Sequence, residues 1–253
     1  MKVESLISRL EEIAPPGLAE EYDAGRIGLI LKGSREVGRV AVALDPTPYA
    51  IRRAAEDGAG MLVTHHTLIW DPVSRISEEL AHKLRLLLDN GLSLYTMHTN
   101  YDNAPGGVND VLAGLIGLRS PEAFYGGRVG TVEEMSLREL ACMASARLGC
   151  SVEYVGEESR MVRHVATVAG SGFRLALEHA KENRIDVVLS SELKHDVIRG
   201  RGEVALVSAP HYYTEAPAMR SLAERLNAIV PTVFIDDPPR IKTIKWDEIR
   251  ERV

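Results

Sequence analysis

At 253 residues with a formal charge of −6, the chain is long enough for one large α/β domain or two smaller ones, and it carries no overall electrostatic footprint for nucleic acid. Hydrophobic residues make up 45% and charged residues 26%, the balance of a soluble globular protein with a real core, and no apolar run is long enough to cross a bilayer. Cys142 and Cys150 make no disulfide framework, and the acidic, amphipathic start MKVESLISRLEEIA lacks the features of an export signal, so a cytoplasmic location without membrane attachment is expected.

In chain order, Leu6, Ile7, Leu10 and Ile13 share one face of an opening helix, which the Pro15-Pro16-Gly17 break ends. Two short apolar runs, RIGLIL and RVAVAL, follow as strands around the turn KGSREVG. Then come a helix (PYAIRRAAEDG), a strand (MLVTH), a helix (SEELAHKLRLLLDNG), a strand (LSLYTM) and a helix (GVNDVLAGLIG). FYGGRVG, residues 124–130, reads as a connection. Beyond it the order recurs. A helix (SLRELACMASARLG) leads to strands SVEYVG and HVATVAG, then a helix (FRLALEHAKENR), a strand (DVVLS), a helix (ELKHDVIRG), a strand (EVALVSA) and a helix (APAMRSLAERLN). A last strand, PTVFID, precedes a charged tail.

Each half therefore reads as a helix, a strand and three strand–helix units, which implies an internal duplication with repeats at 1–121 and 122–253. The fold class is α/β, with mixed, mostly parallel sheets covered by helices on both faces. In such folds the chemistry collects beyond the carboxyl ends of strands.

Three polar clusters fall there. THHTLIWDP places His65 and His66 after one strand, MHTNYDNAPGG places His98 and Asp102 after the next, and APHYYTEAPAM places His211 and Glu215 after a strand of the second half. Neutral imidazole with carboxylate suits zinc, manganese, iron, cobalt or nickel. Adjacent residues of an extended strand point to opposite faces, so His65 and His66 share one ion only if the chain turns, and otherwise each reaches its own. The spacings His98–Asp102 and His211–Glu215 put both side chains on one face if the segment is helical. These are too many ligands for one open catalytic ion, and they fit two ions bridged by Glu215 or Asp102. His82, His164 and His179 lack acidic neighbours of this kind and read as structural or exposed. His195 in SSELKHD is read as a non-ligand. The turn AGSGFR, residues 169–174, reads as a tight turn in preference to a phosphate-binding one. There is no Walker A loop, no G-x-G-x-x-G fingerprint and no nucleophilic triad.

The runs VAVALDPTPYAIRRAAEDGAGMLVTHHTLIW, MHTNYDNAPGGVNDVLA, VATVAGSG, SSELKHD and APHYYTEAPAM together resemble the Nif-three-like family, whose prokaryotic members bear the name GTP cyclohydrolase 1 type 2 homolog. The resemblance runs from about Tyr22 to the C-terminus. It implies that His65, His66, Asp102, His211 and Glu215 ligate two divalent cations, with His98 as a further ligand or an orienting neighbour. It also implies two intertwined repeats and a homo-oligomer, a toroidal hexamer in many members. Thr67 stands where the family has proline, and Pro210 where it has glycine; neither change removes a ligand. The function implied is metal-assisted hydrolysis, of a purine nucleotide if the family name holds, or of a phosphoester or amide. The rival from another class is a non-catalytic metal-handling or regulatory protein, and net acidity ranks nucleic-acid binding below both.

Overall fold

The computed structural model describes residues 1–33, 36–242 and 244. The middle of the KGSREVG turn (34–35) and most of the charged tail (243 and 245–253) lie outside the described residues. The first half comprises α1 (Val3–Ile13), single 3₁₀ turns at Pro16–Leu18 and Glu21–Asp23, β1 (Gly28–Leu31), β2 (Val40–Ala43) and α2 (Pro48–Glu56). It continues through β3 (Met61–Thr64), α3 (Glu78–Asp89), β4 (Ser93–Thr96), the short α4 (Thr99–Asn103) and α5 (Val108–Ile116). A hairpin of β5 (Arg119–Phe124) and β6 (Gly127–Ser136) follows, then α6 (Leu137–Leu148), β7 (Glu153–Val155), β8 (Met161–Thr167) and α7 (Phe173–Ala180). The chain closes with β9 (Val187–Ser190), α8 (His195–Gly200), β10 (Ala205–Ser208), α9 (His211–Asn227) and β11 (Thr232–Phe234).

Local chemistry explains many of these boundaries. Thr47 caps α2 by accepting from Ala50 N at 3.0 Å, with Pro48 at the first helical position, where its missing N–H costs nothing. Ser136 and Glu139 form a reciprocal capping box on α6. Two readings differ from the structure. Segment 124–130 forms the turn of the β5–β6 hairpin and the start of β6, with Phe124 paired to Gly127 across Tyr125 and Gly126. Strand β5 is exposed along most of its length, so no alternation of apolar residues marks it. Helix α9 begins at His211 and carries Pro217 in its interior, whereas the sequence reading starts the helix at Ala216.

The strands form two sheets, β1-β4-β3-β2-β11 and β5-β6-β8-β9-β10-β7. In the first, β4, β3, β2 and β11 run parallel and only β1 is antiparallel. In the second, β8, β9 and β10 form a parallel centre with antiparallel flanks. Strands β2, β3, β4, β9 and β10 are buried at every residue, the pattern of sheets covered on both faces. Side chains alternate accordingly: Val40 and Val42 of β2 join the core under α1 and α9, while Ala41 and Ala43 pack beneath α2 and α3.

The halves exchange helices. Leu222 and Leu226 of α9 pack on the first sheet with Leu6 and Leu10 of α1. Leu112, Ala113 and Ile116 of α5 pack on the second sheet with Leu137 and Leu140 of α6. Strand β11 also crosses over, pairing with β2. This is the intertwined arrangement. No helix among the described residues is long and apolar enough to cross a membrane.

Candidate metal centre

The crossover brings α9 across to the carboxyl ends of β2, β3 and β4, and it begins there with His211. Beyond β3 the chain bends, and the amides of His65 and His66 both donate to Leu44 O, at 3.1 and 3.0 Å. That bend lets the adjacent rings face one region, with centroids 5.0 Å apart. His98 precedes α4, and Asp102 N donates to His98 O at 3.1 Å, closing one helical turn. His211 and Glu215 lie one turn apart at the start of α9. All six sequence-selected residues therefore meet.

Glu215 sits at the centre. Its Oε1 is 3.0 Å from His211 Nε2 and 3.9 Å from His65 Nε2, and its Oε2 is 3.3 Å from His66 Nε2. Asp102 Oδ1 is 3.6 Å from His65 Nε2. His65, His66 and His98 form one group able to hold an ion, and His66, His211 and Glu215 form another.

Each imidazole is anchored through its other nitrogen. Nδ1 of His65 lies 2.9 Å from Met97 O, so it must carry the proton, which leaves the Nε2 lone pair aimed inward. His66 Nδ1 is 2.7 Å from Asp45 Oδ1, His211 Nδ1 is 2.9 Å from Glu192 Oε1, and His98 Nδ1 is 2.8 Å from Asp23 Oδ2. Such anchoring fixes ring orientation and raises the basicity of a metal-ligating histidine. Asp23 is fully buried and also accepts from Thr99 N and Thr99 Oγ1.

Sequence reasoning missed Asp23, Asp45 and Glu192. Asp45 follows β2 and Glu192 follows β9, so the strand-end rule already applied to the histidines would have found both. Asp23 lies in an irregular turn, with no periodic signal. Glu192 holds φ at +66°, the left-handed region that side chains other than glycine seldom adopt. In the sequence Gly170 reads only as part of a turn. Its φ is +64°, and a Cβ there would lie 2.4 Å from Glu215 Oε1. His82, His164 and His195 are exposed and outside the cluster, and His179 stacks on Tyr125.

The electrostatics follow from burial and from these pairs. Burial pushes the fully buried His65 down to about 3. For His66 burial also opposes charge, but the nearby carboxylates of Asp45 and Glu215 outweigh it and lift the group to about 10. His211 is likewise lifted to about 9 against its burial, by Glu215 and Glu192. Glu215 is held below the usual carboxylate range because His211 and His66 outweigh the burial that would raise it. Burial, and then the Glu215 charge, push Asp102 well above that range.

The donor set fits a metal. Six buried side-chain polar atoms among the described residues have no hydrogen-bond partner, and four of them are His65 Nε2, Asp102 Oδ1, His211 Nε2 and Glu215 Oε2. Orphaned buried groups are rare, and four that converge in this way could be satisfied by a metal ion. A cavity of about 430 Å³ opens onto the cluster.

Fold and site together define an α/β protein of two intertwined sheets with a buried cluster of histidines and carboxylates at their joined strand ends. The chain belongs to the Duf34/NIF3 (NGG1p interacting factor 3) family, whose model matches residues 1–238. It is 30% identical over 243 residues to a Clostridium perfringens protein named GTP cyclohydrolase 1 type 2 homolog, covering 89% of this chain and 91% of that one. Among solved structures it is similar to reduced HcgD from Methanocaldococcus jannaschii, with a TM-score of 0.84 and 30% identity over 94% of this chain and 98% of the other. A Thermus thermophilus protein of known structure matches with a TM-score of 0.82 and 26% identity, over 95% and 100%.

Proposed function

We propose that the cluster holds two divalent cations per chain and that the protein is a metal-dependent hydrolase. The observation that carries this reading is the convergence of four buried polar atoms that make no well-formed hydrogen bond, on side chains already oriented from behind. Glu215 would be the carboxylate shared by both ions, since its two oxygens lie near three imidazoles. His65 and Asp102, with His98 beside them, would hold one ion, and His66 and His211 would hold the other. Zinc, manganese, iron, cobalt and nickel all suit this donor set.

A bound pair of cations supplies Lewis acidity and a water activated near neutral pH. The chain's own part is to hold the donors, to keep the imidazole Nε2 atoms free of protons when loaded, and to shape the cavity. The cavity favours turnover over metal storage, because a cargo site needs no chamber for a second ligand. The name borne by the relatives puts a purine nucleotide first among substrates to test.

Elemental analysis of chelator-stripped, reloaded protein should find two ions per chain, and a nucleotide panel should then show metal-dependent turnover. One ion or none would sink the paired site. Two ions without turnover on any nucleotide, phosphoester or amide would favour metal handling. A homo-oligomer, with a toroidal hexamer as its form, is proposed on the family resemblance, and light scattering tests it.

A further inference from the structure

The run GGVND, residues 106–110, leads into α5 and carries no candidate ligand, yet it is built against the back of the metal cluster. The chain returns sharply there. Gly106 holds φ at +69°, and a Cβ on Gly107 would overlap Tyr101 O, so the loop after Asp102 folds back against its own start. Asn109, only 1% exposed, is thereby brought against three segments at once. Its Nδ2 donates to Asp102 O at 3.2 Å and to Gly126 O at 3.1 Å, and its Oδ1 accepts from Ala169 N at 3.0 Å.

Those partners dictate an amide. Two carbonyls demand donors and one backbone N–H demands an acceptor, which also settles which end of the group is oxygen. An ionised carboxylate has no donor, a hydroxyl has one, and glutamine carries the amide one methylene further out. Asp110 reinforces the arrangement from outside, with Oδ2 accepting from Gly106 N at 2.7 Å and Oδ1 pairing with Arg128 Nε at 2.5 Å.

The three segments that Asn109 joins are walls of the cavity: Asp102 from the first half, Gly126 from the hairpin and Ala169 from the second half. The line of hydrogen bonds then continues. Gly170 N donates at 3.0 Å to Oγ1 of Thr214, the residue before Glu215, and Gly172 N donates to Ser190 Oγ at 2.9 Å, so the turn is held on its far side too. Asp102 stands on α4 and Glu215 on α9, and neither helix by itself fixes the distance between them. The path through Asn109 does, across the seam between the halves.

We infer that Asn109 is a positioning residue for the metal centre: it fixes Asp102 against the 169–172 turn and so sets the spacing between the carboxylates of Asp102 and Glu215. This rests on the metal-site reading. Ligands drawn from separate parts of a chain hold ions well only where a supporting shell keeps them within a fraction of an ångström of one geometry, and groups outside the ligand set supply that support.

The test titrates chelator-stripped protein with cobalt(II), whose visible absorption reports coordination geometry as well as occupancy. Asn109→Asp keeps the acceptor for Ala169 N and removes both donors, and Asn109→Ser shortens the side chain and breaks the bridge. In each variant one of the two cobalt ions should bind at least about tenfold more weakly while the other stays within about threefold, and the absorption bands of the loaded protein should shift. An asparagine that only supports the fold would lower the melting temperature of the metal-free protein and leave isotherm and bands as they are, and that result would overturn the inference. Equal weakening of both ions without a band shift would overturn it as well. Should both variants fail to fold by circular dichroism, Thr214→Val cuts the same line at its far end: shifted bands support the inference and unchanged bands refute it, with Thr214→Ser, which keeps the hydroxyl, binding cobalt as the natural sequence does. Uptake of fewer than two cobalt ions by the natural-sequence protein would instead overturn the paired-site reading.

Discussion

Four imidazoles face the cluster, and each is aimed by an acceptor behind it: Met97 O, Asp45, Asp23 and Glu192. Removing such an acceptor leaves the ligand in place but frees its ring, so Asp45→Ala and Glu192→Ala should each weaken metal binding about 10- to 100-fold without abolishing it. Chelator competition measures this, and an unchanged affinity would assign those carboxylates a merely local role. Glu215→Ala should cost more, because in the proposed paired site one carboxylate would serve both ions, and bound metal should fall below two per chain. Gly170→Ala should act on the same carboxylate from outside, since its methyl would enter the space of Glu215 Oε1. Lower metal content in that variant, with an intact circular-dichroism spectrum, is the expected result.

Protons enter at this scale too. Without metal, His66 and His211 keep their protons to about 10 and about 9, whereas His65 is neutral above about 3. Loading the site therefore expels protons, and apparent affinity should rise roughly 10- to 100-fold per pH unit up to about pH 9. Calorimetry in two buffers of different ionisation enthalpy counts the protons released, and zero released at pH 7 would contradict this charge assignment. The sign for stability is opposite. A histidine whose folded value is raised stabilises the metal-free fold fully below its unfolded value near 6.5, and that contribution is lost as pH rises through 9 to 10.

Helix α9 has two duties. Its first turn presents His211 and Glu215, and its remainder locks into the core of the first sheet through Met219, Leu222 and Leu226. Metal geometry and hydrophobic packing are therefore coupled along one rigid element. Leu222 is fully buried, so Leu222→Ala should destabilise the fold by about 2–5 kcal/mol, read from the shift in urea midpoint. A shift under about 0.5 kcal/mol, the range of surface substitutions, would mean that α9 is not anchored there.

At the scale of the whole molecule, the site is assembled from corresponding places in two sheets. Asp45, His66 and His98 follow β2, β3 and β4, and Gly170, Glu192 and His211 follow β8, β9 and β10. We read this correspondence as support for a duplication with repeats at 1–121 and 122–253, a boundary that falls within β5. Because candidate donors from both halves meet in one cluster, bound metal should act as a staple. Free metal at a hundredfold excess over its dissociation constant should add about 2.7 kcal/mol for each ion, raising the melting temperature by several degrees and reversibly with chelator.

Much of this was legible in the residues themselves. Periodicity marked α1, α2, α3 and the buried strands because a covered parallel sheet demands continuous apolar runs, and the strand-end rule selected all six cluster residues. The β5–β6 hairpin escaped because exposed strands and paired glycines leave no pattern, and the start of α9 escaped because Pro217 imitates a helix boundary. Composition and periodicity report which side chains avoid water, and that is a local property. Which acceptor stands behind each imidazole, which backbone approaches Glu215, and which amides of the 169–172 turn are spent depend on contacts between segments as far apart as Asp23 and His98, or Gly170 and Thr214. Only the folded chain, with its helices exchanged between two sheets, brings those groups within hydrogen-bonding distance.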